Sequence, residues 1–422
     1  MDINKLLSGV KCSCGKVHTC AIKHVFVEEG AISRLPDLLL KYDRILLVAD
    51  ENTFSAAGEQ VVRALEGKNV TKKIFLGRPL LIPDEEAITE LRKELCGIDV
   101  ILGVGSGVIQ DLCKYVSHGD GIPYYIVATA PSMDGYASTG AAMITGGMKV
   151  TYPAGLPEGI IADVNVLKNA PIEMIKAGYG DIIGKYSALS DWRLAAAALG
   201  EYFCDSVYEL TYSMLKATEP LAKKLLDRDS GSVKTLTEAL IGVGIAMSFA
   251  GNSRPASGSE HHLSHFFEIT GIVNGEEYLP HGIDVIYSTV ITARVREKLL
   301  ALPSFEKRGA QRENERLGEI KRVYAEVADG CIALQEKLGT YKTERVPLYI
   351  ENEEEIRKAL SECPSAEQIE HLVSEIGLST DDFYNTYGKK KIADAVRYAK
   401  DLKDRYTVLW MYYDVFGTED VI

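Results

Sequence analysis

The segment Ser257-Gly-Ser-Glu260-His261-His262-Leu-Ser-His265 carries three of the chain's eight histidines. His261 and His265 are four positions apart, so on a helix both leave one face and can converge on a single ion, or on a substrate held by that ion. His281 follows in Leu-Pro-His281-Gly at a predicted helix start, and Gly178-Tyr-Gly-Asp181-Ile-Ile-Gly-Lys185 places an acid at the opening of another helix. One carboxylate and two imidazoles form a three-ligand set with an open position, which suits Zn²⁺ or a similar divalent ion acting as a Lewis acid. A surface patch of histidines is the competing reading, because spacing alone does not show that these groups meet.

A second group of segments has the residue types that hold a nucleotide. In Ile-Leu-Gly103-Val-Gly105-Ser106-Gly107-Val108-Ile109-Gln-Asp111, three glycines stand where an apolar strand meets a helix start. Glycine lets backbone N–H groups approach phosphate oxygens closely, and the helix N-terminus adds positive potential. The usual G-x-G-x-x-G fingerprint is not met, since position 108 is Val. A tight structural turn explains the loop equally well. Asp50 ends the first strand of this region, where a carboxylate can accept hydrogen bonds from a ribose, and it precedes the glycine loop instead of following it. That order argues against the common Rossmann dehydrogenases but leaves a nicotinamide cofactor open. The acid would repel a 2′-phosphate, which favours NAD, with NADP as the alternative. Thr129-Ala130-Pro131-Ser132-Met-Asp134-Gly-Tyr-Ala-Ser138 leaves the C-terminal end of the next strand, the edge at which such sheets bind ligands.

A third cluster, Cys12-Ser-Cys14-Gly-Lys-Val-His18 followed by Cys20, could hold zinc. Cys-x-Cys is tighter than the usual spacing and no second knuckle follows, so a hairpin turning at Gly15 is the preferred reading. The other cysteines are scattered, as reduced thiols in a reducing compartment would be.

The elements that must position these groups change character along the chain. From Arg44 to about Asp163, short apolar runs alternate with amphipathic stretches, as parallel strands and crossover helices do. Strands are expected at Arg44–Ala49, Lys73–Leu76, Asp99–Val104 and Tyr124–Ala128, with helices at Thr53–Leu65, Asp84–Leu95 and Val108–Val116. After Pro171, apolar residues recur at helical spacing, through Tyr179–Gly200, Leu210–Leu226 and Val233–Phe249 and onward. The expectation is an α/β dinucleotide-binding domain over residues 1–166, doubly wound on a mostly parallel sheet, followed by an all-α metal- and substrate-binding domain over 167–422.

Composition limits the partners. With 46% apolar and 25% charged residues the chain reads as an ordinary globular protein. A formal charge of −13 gives it no basic field for nucleic acid or an anionic membrane. No run of about 18 apolar residues stands out as a membrane span, and Met-Asp-Ile-Asn-Lys does not open like a secretion signal, so the cytoplasm is the expected location. An anionic substrate would need local cations. Arg254, beside Ser257-Gly-Ser259, is the first candidate to hold a phosphate and Lys149 a weaker one, with surface salt bridges as the alternative role for both.

Taken together, Gly-x-Gly-Ser-Gly…Asp111, Thr-Ala-Pro-Ser-x-Asp134, Gly-Asp181-x-x-Gly-Lys, Ser-Gly-Ser-Glu-His261-x-x-Ser-His265 and His281-Gly resemble the iron-containing alcohol dehydrogenase superfamily, which also holds glycerol dehydrogenase and dehydroquinate synthase. Within it the chain is most similar to the sn-glycerol-1-phosphate dehydrogenases, in particular their bacterial branch. Ala-Pro-Ser-Met-Asp-Gly, Arg254-Pro-Ala-Ser-Gly-Ser-Glu-His, the Ala-Asp-x-x-x-Leu pattern at Ala162–Leu167 and Asp404-Arg-Tyr-Thr carry that closer likeness.

The resemblance implies reduction of dihydroxyacetone phosphate to sn-glycerol 1-phosphate with NAD(P)H, a divalent metal (zinc, nickel or iron) polarising the carbonyl, and a homodimer. It implies metal ligation by Asp181, His261 and His281. Cofactor contacts would come from Asp50, Gly105, Ser106, Gly107, Val108, Ile109, Thr129, Ala130, Pro131, Ser132 and Ser138. Asp134 and His265 would face the substrate as catalytic groups, beside Asp181 and the phosphate candidate Arg254 named above, with His265 the first candidate for proton delivery and Asp134 or a metal-bound water its rivals. His262 departs from the pattern: were it the ligand in place of His261, the assignment would move by one residue. Glycerol or another polyol dehydrogenase, dehydroquinate synthase, and a regulatory module that has lost turnover remain the rival readings.

Overall fold

The computed structural model describes residues 3–78, 80–146, 148–309 and 313–418. Among these the strands are β1 Val10–Lys11, β2 Val17–His18, β3 His24–Glu28, β4 Arg44–Asp50, β5 Asn69–Phe75, β6 Val100–Gly105, β7 Tyr124–Ala128, β8 Gly140–Thr145, β9 Met148–Pro153 and β10 Gly159–Asp163. The apolar runs of β4, β6 and β7 are buried, as strands covered on both faces must be. They form the centre of a six-stranded sheet ordered β3-β10-β7-β6-β4-β5, parallel throughout.

All four expected strands exist, and the sheet is the expected parallel one. It is wider than expected because β3 and β10 pair with each other at one side. Each is a five-residue run whose pairing partner is distant in sequence, and short apolar runs carry no decisive periodicity. β5 begins at Asn69, earlier than expected, since its Asn-Val-Thr-Lys-Lys start is mostly polar on an edge strand. The hairpin turning at Gly15 is present: β1 and β2 pair antiparallel, and Gly15 sits at φ 85°.

Chain order makes a switch point. From β4 the chain moves outward to β5 and then returns to the other side of β4 as β6, so the crossovers diverge between β4 and β6. Open parallel sheets bind ligands at the carboxyl ends of the strands beside such a point. The register Ile45↔Val100 to Val48↔Gly103, carried two residues on, brings Asp50 and Gly105 level there.

No strand follows Asp163 among the described residues, and the remainder is helical. The helices used below are α1 Gly107–Asp120, α2 Ile172–Ile183, α3 Ser230–Ala250, α4 Ser259–Asn274 and α5 His281–Leu300. Compact packing divides the chain into one unit of Met1–Ile182 with Lys216–Asn252, and another of Ile183–Leu215 with Ser253–Ile422. This differs from a division at 166/167. The reason is α3: it is apolar and long enough to cross a membrane by length and composition, yet most of it is buried, and it packs on β3 and on the turn Asp134–Ala137 of the first unit.

Candidate functional site

In the first unit the nucleotide features gather at the switch point. Asp50 is the N-cap of the helix that follows β4: its carboxylate accepts from Thr53 N at 2.8 Å, and Thr53 Oγ1 accepts from Asp50 N at 3.0 Å. This capping box fixes the carboxylate at the strand end. Gly105 is required by packing, since a Cβ there would lie 2.5 Å from Ile109 Cβ. Strand and helix therefore meet closely, and α1 starts at Gly107, where a Cβ would meet nothing within 4 Å. Ser106 caps α1 without a side-chain hydrogen bond. The first-turn N–H groups of Gly107, Val108 and Ile109 have no acceptor within the helix, which is the usual anion-binding arrangement.

The segment after β7 is held from two sides. Thr129 N donates to Gly105 O at 3.1 Å, and Tyr136 Oη donates to Ala130 O at 2.8 Å. Gly178 of α2 presses on Pro131 so closely that a Cβ would lie 1.8 Å from its carbonyl oxygen. Ser132 follows on this loop. Lys114, fully buried on α1, donates to Gly135 O, Gly140 O and Ser138 Oγ at 2.9, 2.9 and 3.1 Å. Burial lowers its pKa, and the nearby Asp111 carboxylate opposes that shift. Lys114 thus ties the cofactor-side helix to the turn that carries Asp134. Its signal in the sequence was a lysine on the apolar face of Val108–Val116, which the motif reading passed over.

Asp181 lies in the last turn of α2, not at a helix opening as expected, because the helix break falls later, at Gly184. It is fully buried and accepts from Asp134 N at 2.9 Å. An anion at the negative end of a helix, away from water, calls for a cationic complement. Asp134 is thereby fixed by its backbone, with its side chain on the same turn.

In the second unit, α4 and α5 bring three histidines together. Ring centroids are 5.1 Å apart for His261 and His281, 5.4 Å for His265 and His281, and 6.2 Å for His261 and His265. His261 Nδ1 is 2.7 Å from the buried Glu260 carboxylate, which also accepts from Gly258 N at 2.8 Å. A carboxylate on Nδ1 directs the Nε2 lone pair outward, the arrangement that orients metal-bound histidine. Ser264 Oγ lies 3.3 Å from His281 Nδ1. Glu260 and Ser264 are not among the residues expected from sequence. Glu260, directly before His261, was an available signal, whereas Ser264 meets His281 from 17 positions away and no local pattern pointed to it.

His262 does not join this group. It is fully buried, with neither ring nitrogen hydrogen-bonded to protein, and burial pushes its pKa far down, helped by the charges of Arg405, Lys403 and Arg254. Arg254, the expected phosphate holder, is engaged by protein groups of its own unit. Its guanidinium is buried, donates through Nε to Glu201 Oε1 at 2.7 Å and through Nη1 to Tyr406 O at 2.6 Å, and makes a further bond to Glu201. A substrate phosphate on Arg254 would compete with that ion pair, which weighs against the phosphate role expected for it. The Lys149 side chain lies outside the described residues.

Residues 26–171 match the iron-containing alcohol dehydrogenase family. A glycerol-1-phosphate dehydrogenase [NAD(P)+] of Halalkalibacterium halodurans is 35% identical over 305 residues, covering 68% of this chain and 76% of the relative. The chain belongs to the iron-containing alcohol dehydrogenase family, among its glycerol-1-phosphate dehydrogenases. The enzyme of the same name from Geobacillus stearothermophilus is 35% identical over 289 residues, covering 67% of this chain and 72% of that one. The fold agrees with a probable glycerol dehydrogenase from Sinorhizobium meliloti at a TM-score of 0.60, with 17% identity, over 93% of this chain and 96% of that structure. It agrees equally with an iron-containing alcohol dehydrogenase from Thermococcus thioreducens at a TM-score of 0.61 and 16% identity, over 94% and 99% of the two chains. This family member is an NAD(P)-dependent oxidoreductase, and the switch point at β4 and β6 and the histidine cluster are consistent with the nicotinamide cofactor and the divalent metal of that family.

Proposed function

We propose that this chain reduces dihydroxyacetone phosphate to sn-glycerol 1-phosphate, with NADH or NADPH as hydride donor. The observation that carries the reading is the 35% identity to glycerol-1-phosphate dehydrogenase over 76% of that relative.

Asp181, His261 and His281 are the proposed ligands of a divalent cation, offering one carboxylate oxygen and two imidazole nitrogens. When bound, the cation supplies Lewis acidity to the substrate carbonyl and the nicotinamide supplies hydride. The chain does the rest. The first turn of α1 and the Gly105–Ile109 loop would hold the dinucleotide diphosphate, Asp50 would accept from the ribose, and Thr129 to Ser132 with Ser138 would complete the cofactor contacts. Glu260 keeps His261 in one orientation. His265, part of the histidine cluster without being a ligand, donates the proton that the developing alkoxide takes up. Asp134, fixed by its N–H bond to Asp181, orients the substrate hydroxyl. A homodimer and a cytoplasmic location belong to this proposal through the resemblance.

Turnover of an unphosphorylated polyol is a second reading, favoured by one observation: Arg254 is committed to Glu201. Protein stripped with a chelator and reloaded with Zn²⁺, Ni²⁺ or Fe²⁺ tests the proposal through NADH absorbance. Oxidation of NADH by dihydroxyacetone phosphate should vanish on stripping and return with metal. Undiminished activity in the stripped protein contradicts the proposed role of the three ligands.

A further inference from the structure

The N-terminal hairpin takes no part in the chemistry above, yet it assembles a soft donor set. β1 and β2 are two residues each, too short to persist unaided. Their link is a tight turn in which Cys12 N donates to Lys16 O at 3.1 Å and Gly15 N donates to Cys12 O at 3.2 Å. The positive φ of Gly15 allows the chain to reverse there. The reversal brings Cys12, Cys14 and His18 together, with one ligand atom from each lying within 4.8 Å of the others. Cys14 Sγ and His18 Nε2 are 3.4 Å apart.

His18 is prepared for ligation. It is buried, stacks on Phe249 at 5.5 Å between ring centroids, and places Nδ1 2.9 Å from Phe249 O. A carbonyl only accepts, so Nδ1 carries the proton and the Nε2 lone pair is turned to the thiols. That is the tautomer a metal at Nε2 requires, with a backbone carbonyl as the outer support. Phe249 lies in the last turn of α3, whose carbonyls have no donor within the helix and whose dipole favours a cation.

We propose that Cys12, Cys14 and His18 hold a zinc ion that staples the N-terminal hairpin to the end of α3. Two thiolates and an imidazole are the donors that structural zinc prefers, and a water or further thiolate completes its four-ligand shell. Binding releases the two thiol protons, and no redox step is involved. The hairpin then gains order that its four strand residues do not supply. The inference is independent of the catalytic reading.

Cobalt substitution of the whole protein is the test. Thiolate ligation gives a near-ultraviolet charge-transfer band, which the sulfur-free set Asp181, His261 and His281 cannot produce. The band should appear in the wild-type protein, persist in H281A and be lost in C12S/C14S, with one zinc per chain lost in parallel. Should C12S/C14S fail to fold, wild-type protein decides: iodoacetamide should label Cys12 and Cys14 at least 10-fold more slowly with zinc than after chelator. A missing band with equal labelling rates, or a Cys12–Cys14 disulfide in the purified protein, overturns the proposal.

Discussion

A fully buried carboxylate in the last turn of a helix, such as Asp181, is costly on two counts: it has left water, and the helix dipole there is negative. In the second unit, His261 is an imidazole aligned through Nδ1 by Glu260. Burial raises the Glu260 pKa, and the N–H of Gly258, Ser187 and the Lys185 charge draw it back down. E260Q keeps the shape but weakens the hold on the His261 tautomer. Metal affinity measured by competition with a chromophoric chelator should fall by about 10- to 100-fold, with the fold retained by circular dichroism. Unchanged affinity would remove Glu260 from the account. That His261, His265 and His281 come together was legible in part, because residue type and spacing name a chemistry. The Glu201 partner of Arg254 was not legible, since a basic residue beside a Ser-Gly-Ser loop looks alike whether it meets a phosphate or a carboxylate. Only the three-dimensional partner tells them apart.

At the scale of elements, the site depends on close approaches that only glycine permits. Gly178 lets α2 lie against Pro131, and Gly244 lets α3 lie against the Asp134 turn, where a Cβ would come 2.9 Å from Asp134 O. G178A should force the Thr129–Ser132 loop off α2. A loss of about 2 kcal/mol or more is expected in denaturant unfolding, together with weakened NADH binding by fluorescence titration. Wild-type stability in G178A would show that the loop yields without cost. The central strands were legible because β4, β6 and β7 are continuous apolar runs. β3 and β10 were not, because a five-residue strand is defined by its neighbour, and here that neighbour lies far away in the chain.

Over a whole unit, charge and packing set how stability responds to pH. Glu158 receives Lys23 at 2.7 Å, Lys41 at 3.3 Å and the hydroxyls of Tyr42 and Tyr125 at 3.2 Å each, at the start of β10. Burial pushes its pKa up, but the hydrogen bonds and charges of the two lysines prevail and hold it at about 2, below the usual 4.5. A depressed carboxyl stabilises the fold above its unfolded value, and that contribution is lost as pH falls from 4.5 toward 2. E158Q should therefore lower the Tm at pH 7 and show a shallower decline below pH 5. Parallel Tm curves for the two proteins would assign the acid sensitivity elsewhere. The helical character of the second half was readable from period alone, but the packing of α3 with the strand-bearing unit was not, because period does not say which surface a helix covers. The central claim is selectivity for a phosphorylated ketone, and the most direct measurement is the ratio of kcat/KM for dihydroxyacetone phosphate to that for dihydroxyacetone, with NADH and the metal-loaded protein. The account predicts a ratio on the order of 10³ or more, the discrimination expected when an enzyme recognises a polar substrate group that the analogue lacks. A ratio near one or below would contradict it and assign the chain to polyol turnover.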